Sequence, residues 1–247
     1  MNKHVQSFLF KIIGFTIGLL ISSGLKAQFQ FFVYSDAGKT NVSEGLFIKT
    51  AAFGVYRFNK NKIEIGSQLD VLSNRENRSP GLLINYSREF SVKRRLIEVN
   101  PFFLYNKFSE LLYETNWGVI LASNRRHFFY KFGINFRTFS LSGKAINQFE
   151  IENPGKIHEY RNIIYSLTYF IKPIDSKWNA GISCNNIDYF VINQETNPVF
   201  NLQGRYQVTQ SVLIFVESWY KSAGSFNISV NPFGYFFRTG IKWVING

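Results

Sequence analysis

The sequence has a single cysteine, Cys184, among its 247 residues, and only three histidines. One cysteine can form no intrachain disulfide, so the stability of the chain depends on packing and hydrogen bonding. The few cysteines and histidines do not have metal-site spacing, and no glycine-rich phosphate loop follows a predicted strand. The sequence therefore predicts no cofactor and no metal, and we interpret Cys184 as a small apolar filler.

Long apolar runs are also scarce, because only one is present and it lies at the start of the chain. Residues 12–25 are almost all apolar or small, Lys3 and Lys11 precede them, and Ala27 offers a cleavage position. This layout predicts a secretory signal peptide over residues 1–27. The run is shorter than the about 20 residues that a spanning helix needs, which disfavours an uncleaved anchor. The rest of the chain is predicted to form one domain.

Acidic residues are outnumbered by basic ones, and the formal net charge is +12. Removing the leader takes away Lys3, Lys11 and Lys26 and no acid, which leaves +9. A basic balance indicates either nucleic acid or an anionic membrane surface as a partner. Export favours the membrane, so no nucleic-acid partner is expected.

Beyond the leader, apolar and polar residues alternate with a period of two, and no stretch shows a clear 3.6 periodicity. In residues 62–72, for example, Ile63, Ile65 and Leu69 share one face of a strand and Glu64 lies on the other. Strands of about ten residues are long enough to cross a bilayer when tilted. The predicted strands are residues 28–35, 46–58, 62–72, 81–91, 95–106, 111–122, 127–140, 160–172, 177–186, 199–208, 211–220 and 234–245.

The connections between these strands alternate between short and long. Links that follow even-numbered strands are tight, whereas links that follow odd-numbered strands are mostly longer, up to residues 141–159. This alternation is typical of an up-and-down transmembrane barrel whose short turns and termini face the periplasm. The sequence therefore predicts an all-β, antiparallel, up-and-down transmembrane β-barrel of about 12 strands over residues 28–247.

Outward-facing aromatic residues collect at the predicted strand ends, where such barrels carry girdles at the two membrane interfaces. Basic residues flank the short turns, which favours contact with anionic lipid head groups. The predicted girdles comprise Tyr56, Phe58, Phe90, Tyr130, Trp178, Tyr206 and Trp243 on the inner rim, and Tyr105, Tyr113, Tyr220 and Tyr235 on the outer rim.

A soluble β-barrel or sandwich is the alternative, since it also alternates, but with the apolar face inward. The composition of the polar and apolar faces of the predicted strands distinguishes the membrane barrel from the soluble β-protein. The polar set is rich in amides, glycine and charges of both signs at mid-strand, whereas the apolar set is aromatic and almost free of charge. This distribution favours the membrane barrel over a secreted soluble β-protein.

The pattern of residues 28–247 resembles that of small bacterial outer-membrane β-barrel proteins, most clearly in the closing stretch "YFFRTGIKWVI" (residues 235–245). The resemblance implies an outer-membrane location, contact with outer-membrane lipids, and recognition of the last strand by the barrel assembly machinery before it pairs with the first. The chain departs from the commonest version of this pattern because it ends in Asn246 and Gly247 without a terminal aromatic residue.

The polar faces of the strands are predicted to line the lumen, where seven cations oppose six anions. Charges in a narrow interior are costly unless they are paired, so this near-balance predicts an internal network and a mostly closed barrel. Such a barrel would act through its loops, its surface or another envelope protein, and a narrow, porin-like channel is the alternative. The predicted network comprises Lys49, Arg57, Glu64, Asp70, Glu89, Glu98, Glu114, Lys131, Arg137, Arg205, Glu217, Arg238 and Lys242.

A lipid-modifying enzyme at the outer rim is the third hypothesis, and it needs a nucleophile beside a base. After the leader only His127 and His158 are available. His127 lies at a basic turn, and His158 lies beside Glu159 without a nearby serine in sequence, so we predict that the chain is not an enzyme.

Among the connections, residues 141–159 are the best candidate for a segment that folds into the lumen or contacts a partner. The residues of this connection favour neither of the two roles.

Overall fold

A computed structural model describes residues 27–40, 46–72, 81–92, 95–107, 111–152, 158–189, 198–221 and 233–246. The predicted leader, apart from Ala27, lies outside these ranges. The elements are β1 (Ala27–Thr40), β2 (Leu46–Phe58), β3 (Asn61–Asp70), β4 (Gly81–Val92), β5 (Arg95–Lys107), β6 (Leu112–Arg125), β7 (Phe128–Leu141), α1 (Gly143–Gln148), β8 (His158–Phe170), β9 (Trp178–Asn185), β10 (Val199–Gln207), β11 (Val212–Lys221) and β12 (Phe233–Asn246).

Each strand pairs antiparallel with its neighbours in sequence, and β1 also pairs with β12, so that the sheet closes into a barrel. Along the closing seam Phe29 lies opposite Ile245 and Asp36 lies opposite Arg238. This arrangement confirms the predicted fold class and strand number. We call the side of the termini and short turns the inner side, and the opposite side the outer side.

The outward faces of the strands form a continuous apolar belt. Trp117, Phe132, Leu202 and Phe237 are each more than half exposed, and most of the large exposed residues on the strands are apolar or aromatic. Water-soluble proteins rarely expose apolar patches of more than a few hundred Å², whereas an outward apolar band is the membrane-facing surface of outer-membrane barrels. The exposed belt excludes the soluble alternative.

The inward faces combine buried polar groups with a small apolar cluster. Tyr34, Phe53, Leu104 and Ile164 are almost fully buried and belong to one cluster in the middle of the barrel. Amides and charges occupy the remaining inward positions. The lumen is therefore filled with side chains for part of its length.

Three local features differ from the sequence prediction. β1 continues to Thr40 instead of ending at residue 35, because its outer half pairs with both β12 and β2. The β8–β9 connection, residues 171–177, is longer than the predicted tight turn. The predicted connection 141–159 contains α1, which begins after Ser142, whose Oγ accepts a hydrogen bond from the Ala145 N–H at 3.2 Å. In the described ranges no helix combines the length and hydropathy of a membrane span.

Two glycines provide space for aromatic rings inside the wall. Phe53 of β2 lies opposite Gly66 of β3, and a Cβ at Gly66 would overlap the Phe53 ring. Phe215 of β11 lies opposite Gly240 of β12 in the same way. In each pair an aromatic side chain covers the glycine of the neighbouring strand.

Substituting Gly66 by alanine is expected to destabilise the barrel by about 1–3 kcal/mol, because the new methyl group displaces the Phe53 ring. The matched control is Gly54→Ala on the outward face, where the nearest atom to a new Cβ, in the Phe29 ring, lies 3.6 Å away. The control should be neutral or stabilising by about 0.5–1 kcal/mol, since glycine weakens a strand. Urea unfolding in lipid vesicles measures both, and equal effects of the two variants would contradict this account of Gly66.

Candidate functional site in the barrel lumen

A segment of the β9–β10 connection, residues 186–189, folds into the lumen, and we call it the inserted segment. It can enter at mid-height because β9 is short and ends at Asn185, opposite Ser166 of β8. The next residue, Asn186, then takes the place of the missing strand. Its main-chain N–H donates to the Tyr165 carbonyl at 3.1 Å, and its side chain accepts from the Tyr165 N–H and donates to the Ile163 carbonyl, at 2.8 and 2.7 Å.

Asp188 of the inserted segment is held by Arg238 of β12. The two guanidinium nitrogens Nη1 and Nη2 each donate to one carboxylate oxygen of Asp188 at 2.7 Å. The same guanidinium donates to Asp36 of β1 at 2.7 and 2.8 Å, and Glu217 of β11 lies 3.7 Å away. Bidentate pairs of this kind are among the strongest polar contacts in proteins. Arg238 therefore ties together the first strand, the last strand and the inserted segment.

Aromatic rings enclose the Arg238 guanidinium. Its Cζ lies 3.9 Å from the centroid of the Tyr34 ring, with Trp219 and Phe236 at 5.4 and 5.3 Å. The Trp219 indole N–H donates to Glu217 at 2.7 Å, which orients that carboxylate. Arg238 is only 1% exposed, so its charge is compensated by three acids and by ring faces rather than by bulk water.

Tyr189 of the inserted segment completes an aromatic cluster across the barrel. Its ring centroid lies 5.1 Å from that of Phe53, 5.4 Å from that of Phe32 and 5.8 Å from that of Tyr34. Phe215 extends the cluster, 5.3 Å from Phe32. We call these five rings, together with the ion pair between Asp188 and Arg238, the plug. The plug lies inside the lumen and shares Tyr34 and Phe53 with the buried apolar cluster.

A second buried network lies on the wall between β6 and β7. Arg137 Nε donates to Glu114 at 2.6 Å, and the Asn116 amide donates to the same carboxylate. The Asn135 amide donates to the Asn116 carbonyl oxygen at 2.8 Å, and the Arg137 guanidinium stacks on Phe139 at 4.7 Å. Every polar member of this network is nearly inaccessible, so it rigidifies the wall.

The inner half of the lumen carries most of the remaining charges. Lys62 pairs with Glu98 at 2.7 Å, and Arg57 lies 3.8 Å from Glu89. Arg205 donates to the main-chain carbonyl of Ile174 in the β8–β9 connection, which draws that connection toward the inner mouth. Glu64, Lys131 and Lys242 face the same space from β3, β7 and β12.

Lys49 and Asp70 complete the predicted set and lie opposite each other on β2 and β3, nearer the outer side. All thirteen predicted lumen residues occupy inward-facing positions of their strands, but they form several separate groups rather than one network. Sequence reasoning missed Asp36, Lys62, Asp188 and Tyr189. The predicted end of β1 at residue 35 leaves Asp36 in a connection, and Lys62 lies beside a short basic turn in sequence. The apolar and aromatic "IDYF" stretch (residues 187–190) is the signal in the sequence for the inserted segment.

The aromatic residues predicted for the girdles lie on outward faces near the strand ends. Phe90, Tyr130, Trp178, Tyr206, Tyr220, Tyr235 and Trp243 are exposed, and Tyr56, Phe58, Tyr105 and Tyr113 are partly exposed. Basic side chains contact three of the inner-rim rings, and one of these contacts is that of Arg88, whose Cζ lies 5.5 Å from the centroid of Phe90. Lys172 lies 3.3 Å from the centroid of Trp178, and Lys177 lies 5.6 Å from that of Tyr206.

Of the two candidate histidines, His127 has structural partners. Its Nδ1 lies 2.9 Å from the main-chain carbonyl oxygen of Phe170, and its ring stacks on Tyr169 with centroids 6.1 Å apart. These contacts fasten the β6–β7 turn to β8. The side chain of His158 lies outside the described part of the chain.

The lumen contains a cavity of about 390 Å³. Its wall combines charged, amide and hydroxyl side chains with a few aromatic rings. Some of these side chains come from the inserted segment, so the plug contributes to the wall of the cavity.

A closed antiparallel barrel with an apolar exterior and a polar, partly filled lumen defines the class of outer-membrane β-barrel proteins.

No protein-family model matches the chain, and no curated protein matches it. Among solved structures it is similar to the outer membrane protein Omp33 of Acinetobacter baumannii, at 11% identity and a TM-score of 0.46, over 90% of this chain and 100% of that one. It is similar to an outer membrane channel of Pseudomonas putida F1, with the same identity and TM-score, over 90% and 96% of the chains. It is also similar to outer membrane phospholipase A of Escherichia coli, at 11% identity and a TM-score of 0.40, over 89% and 92% of the chains. The likeness is one of overall architecture.

Proposed function

We propose that this chain is an exported outer-membrane β-barrel whose lumen is closed at mid-height, and that it acts through its loops, its surface or a partner protein of the envelope. The observation that carries this proposal is the inserted segment. Asp188 is held by two hydrogen bonds to Arg238, and Tyr189 contacts three rings of the wall. A segment held by both an ion pair and ring stacking obstructs the path along the barrel axis.

The distribution of charge supports the same proposal. Pores that select for one sign of ion line their walls with that sign. Here the most deeply buried cations, Arg137 and Arg238, are bonded to Glu114 and to Asp36 with Asp188. Pairs of this kind stabilise the barrel, and neither cation is free to line a path for anions. In this proposal residues 1–27 serve as the export leader, and the barrel assembly machinery and the lipids of the outer membrane are the general partners.

Reconstitution of the purified protein into a planar lipid bilayer tests the closed lumen. We expect no discrete conductance steps from the wild-type chain at moderate voltage, because the plug spans the lumen. Correct folding of the same preparation is checked by heat-modifiable migration on a gel. Discrete, ion-selective steps from a folded preparation would contradict the proposal.

A narrow passive channel is the second candidate function, and the cavity of about 390 Å³ favours it. The inserted segment contributes Ile187, Asp188 and Tyr189 to the wall of this cavity. In this candidate function, displacement of the inserted segment would widen the path along the barrel axis. The bilayer recording separates the two candidates directly, since a channel gives steps without any substitution.

A catalytic function receives no support from the described histidine. The imidazole of His127 is engaged by the Phe170 carbonyl and the Tyr169 ring. We therefore propose a non-enzymatic barrel. Gentle extraction of the native protein with its neighbours would identify a partner in the envelope.

A further inference from the structure

An apolar groove of about 680 Å³ crosses the outward face of the barrel from β9 to β1, and we call it the lateral groove. Its floor is one row of outward-facing residues that are paired side by side on five neighbouring strands. In the order β9, β10, β11, β12 and β1 these residues are Ala180, Gly204, Val216, Thr239 and Ser35. None of their side chains is larger than that of valine, so the wall is thin along this row.

A second row, on the inner side of the floor, forms one bank of the lateral groove. It begins with Trp178 of β9, which is paired with Tyr206 of β10, and it ends at Val33 of β1. Trp178 is the first residue of β9, whereas Val33 lies six residues after Ala27, where β1 begins. Both strands begin on the inner side, so the groove starts at the inner girdle and rises obliquely into the apolar belt. The tilt of strands in a barrel produces such an oblique row.

The dimensions of the lateral groove suit one acyl chain. Five adjacent strands are separated by four intervals of about 4.8 Å, which gives a length of about 19 Å. The hydrocarbon core of a bilayer is about 30 Å thick, so an acyl chain in one leaflet reaches about 15 Å. The outward-facing residues of both rows are uncharged. The groove therefore offers a hydrocarbon chain an apolar path from the interface into the membrane.

Two lysines lie at the inner end of the lateral groove. The Nζ atom of Lys172 lies 3.3 Å from the centroid of the Trp178 ring, and that of Lys177 lies 5.6 Å from the centroid of Tyr206. Both rings line the groove and are direct partners across β9 and β10. Two adjacent rings therefore hold the two ammonium groups at the same end of the groove. Neither lysine forms an ion pair with a residue in the described ranges.

A buried amide fixes the position of Lys172. Asn179 is only 2% exposed, and its Oδ1 accepts a hydrogen bond from the main-chain N–H of Lys172 at 3.1 Å. Its Nδ2 donates to the main-chain carbonyls of Lys172 and Pro173 at 3.0 and 2.9 Å. Asp175, the acid of the same connection, interacts with Arg205. The β8–β9 connection is thus a fixed platform on which cations outnumber the acid.

We propose that the lateral groove binds one anionic phospholipid of the inner leaflet. One acyl chain lies along the floor of the groove, and the phosphate of the head group lies against Lys172 and Lys177. Basic residues at a membrane surface attract anionic head groups. A zwitterionic phospholipid with the same chains fits the groove but carries no net charge for the lysines. Because the site lies on the outward face, its occupation does not depend on whether the lumen conducts.

Native mass spectrometry of the full folded barrel, released from mixed micelles, tests this proposal by counting the lipids that the barrel retains. The probes are phosphatidylglycerol and phosphatidylcholine with identical acyl chains, supplied in equal amounts. We expect one retained phosphatidylglycerol per barrel, with a preference over phosphatidylcholine of about tenfold to thirtyfold. This preference reflects two lysines that each contribute about fivefold near a membrane surface.

Substitution of the two lysines tests the head-group end of the site. The double variant Lys172→Gln with Lys177→Gln should reduce the preference for phosphatidylglycerol to less than about threefold. The matched control is Lys60→Gln with Arg95→Gln, which removes the same charge from exposed positions at the inner rim outside the groove. The control should keep the wild-type preference.

Substitution of a glycine tests the acyl-chain end of the site. Gly204→Leu places a side chain on the floor of the groove, and its Cβ meets Val216 at an ordinary contact distance of 3.5 Å. Retention of phosphatidylglycerol should fall at least about tenfold, because the new side chain occupies the path of the acyl chain. The matched control is Gly54→Leu on the outward face of β2, where the nearest atom to the new Cβ lies 3.6 Å away. This control should retain the lipid.

Retention of lipid is measured on the folded barrel, so it is read independently of conductance through the lumen. Equal retention of the two phospholipids by the wild-type chain would show that the groove holds only unselected membrane lipid. Lipid-free dimers of the barrel would show that a second copy of the chain covers the groove. Either result, or equal effects of a variant and its matched control, would overturn the proposal.

Discussion

Replacing Arg238 by leucine is expected to destabilise the barrel by about 3–5 kcal/mol, because the change leaves buried carboxylates without their cation. Asp36 and Asp188 each lose two hydrogen bonds, and Glu217 loses its nearest positive charge. The loss of stability arises from the buried carboxylates that remain without a cation rather than from the loss of the arginine side chain itself. Urea unfolding in lipid vesicles and the temperature at which heat-modifiable migration is lost both report the change.

Lys242→Leu is the matched control, since it removes a cation from the same face of the same strand. Lys242 forms no ion pair with a described residue, so its removal should cost less than about 1 kcal/mol. A second control, Arg238→Lys, keeps the charge but cannot reproduce two bidentate pairs, and it should give an intermediate loss. Equal tolerance of Arg238→Leu and Lys242→Leu would contradict the importance of the central ion cluster.

Removing both anchors of the inserted segment is expected to open the lumen. In the double variant Asp188→Ala with Tyr189→Ala, the segment loses its bidentate contact to Arg238 and its stacking on Phe32, Tyr34 and Phe53. The loss of charge-assisted hydrogen bonds alone, at about 1.5–3 kcal/mol, shifts the open population about tenfold to a hundredfold. Planar bilayer recordings should then show conductance steps that the wild-type chain lacks.

The barrel itself should survive this double substitution, because Arg238 keeps Asp36 and Glu217 as partners. The matched control is Asp175→Ala with Tyr206→Ala, which makes the same chemical changes at the exposed inner connection and on the outward face. This control should remain silent in the bilayer. A silent plug variant that still migrates as a folded barrel would show that residues 186–189 are not what closes the lumen.

The wall of the barrel could be predicted from the sequence because apolar residues that face the lipid alternate with mostly polar residues that face the lumen along each strand. β2, β5 and β11 were the least regular, since Phe47, Phe53, Phe102 and Phe215 fall on their polar faces. The structure gives the physical reason, because all four side chains point into a lumen that contains two apolar clusters as well as polar groups. Imperfect alternation in these strands was thus a signal of a filled interior.

The contacts of the plug could not be predicted in the same way. Asp188 and Tyr189 lie in a connection without periodicity, and their partners come from strands that are distant in sequence. Asp36 sits in "SDAGK" (residues 35–39), whose composition is typical of a turn, and only pairing with β12 and β2 makes it a strand residue. The connection 141–159 was the longer candidate for insertion, but the described segment that enters the lumen follows the shortest strand, β9.

The contact between Asp36 and Arg238 joins residues 202 positions apart in sequence, across the seam where β1 meets β12. An open sheet would leave the hydrogen-bonding edges of both strands unpaired and would separate these two charges within a low-dielectric surrounding. Pairing of β1 with β12 therefore forms the remaining backbone hydrogen bonds of the sheet and the buried ion pair between Asp36 and Arg238 at the same time. The barrel is therefore expected to assemble cooperatively. Partly closed forms are disfavoured because they lack both the backbone hydrogen bonds of the seam and the buried ion pair.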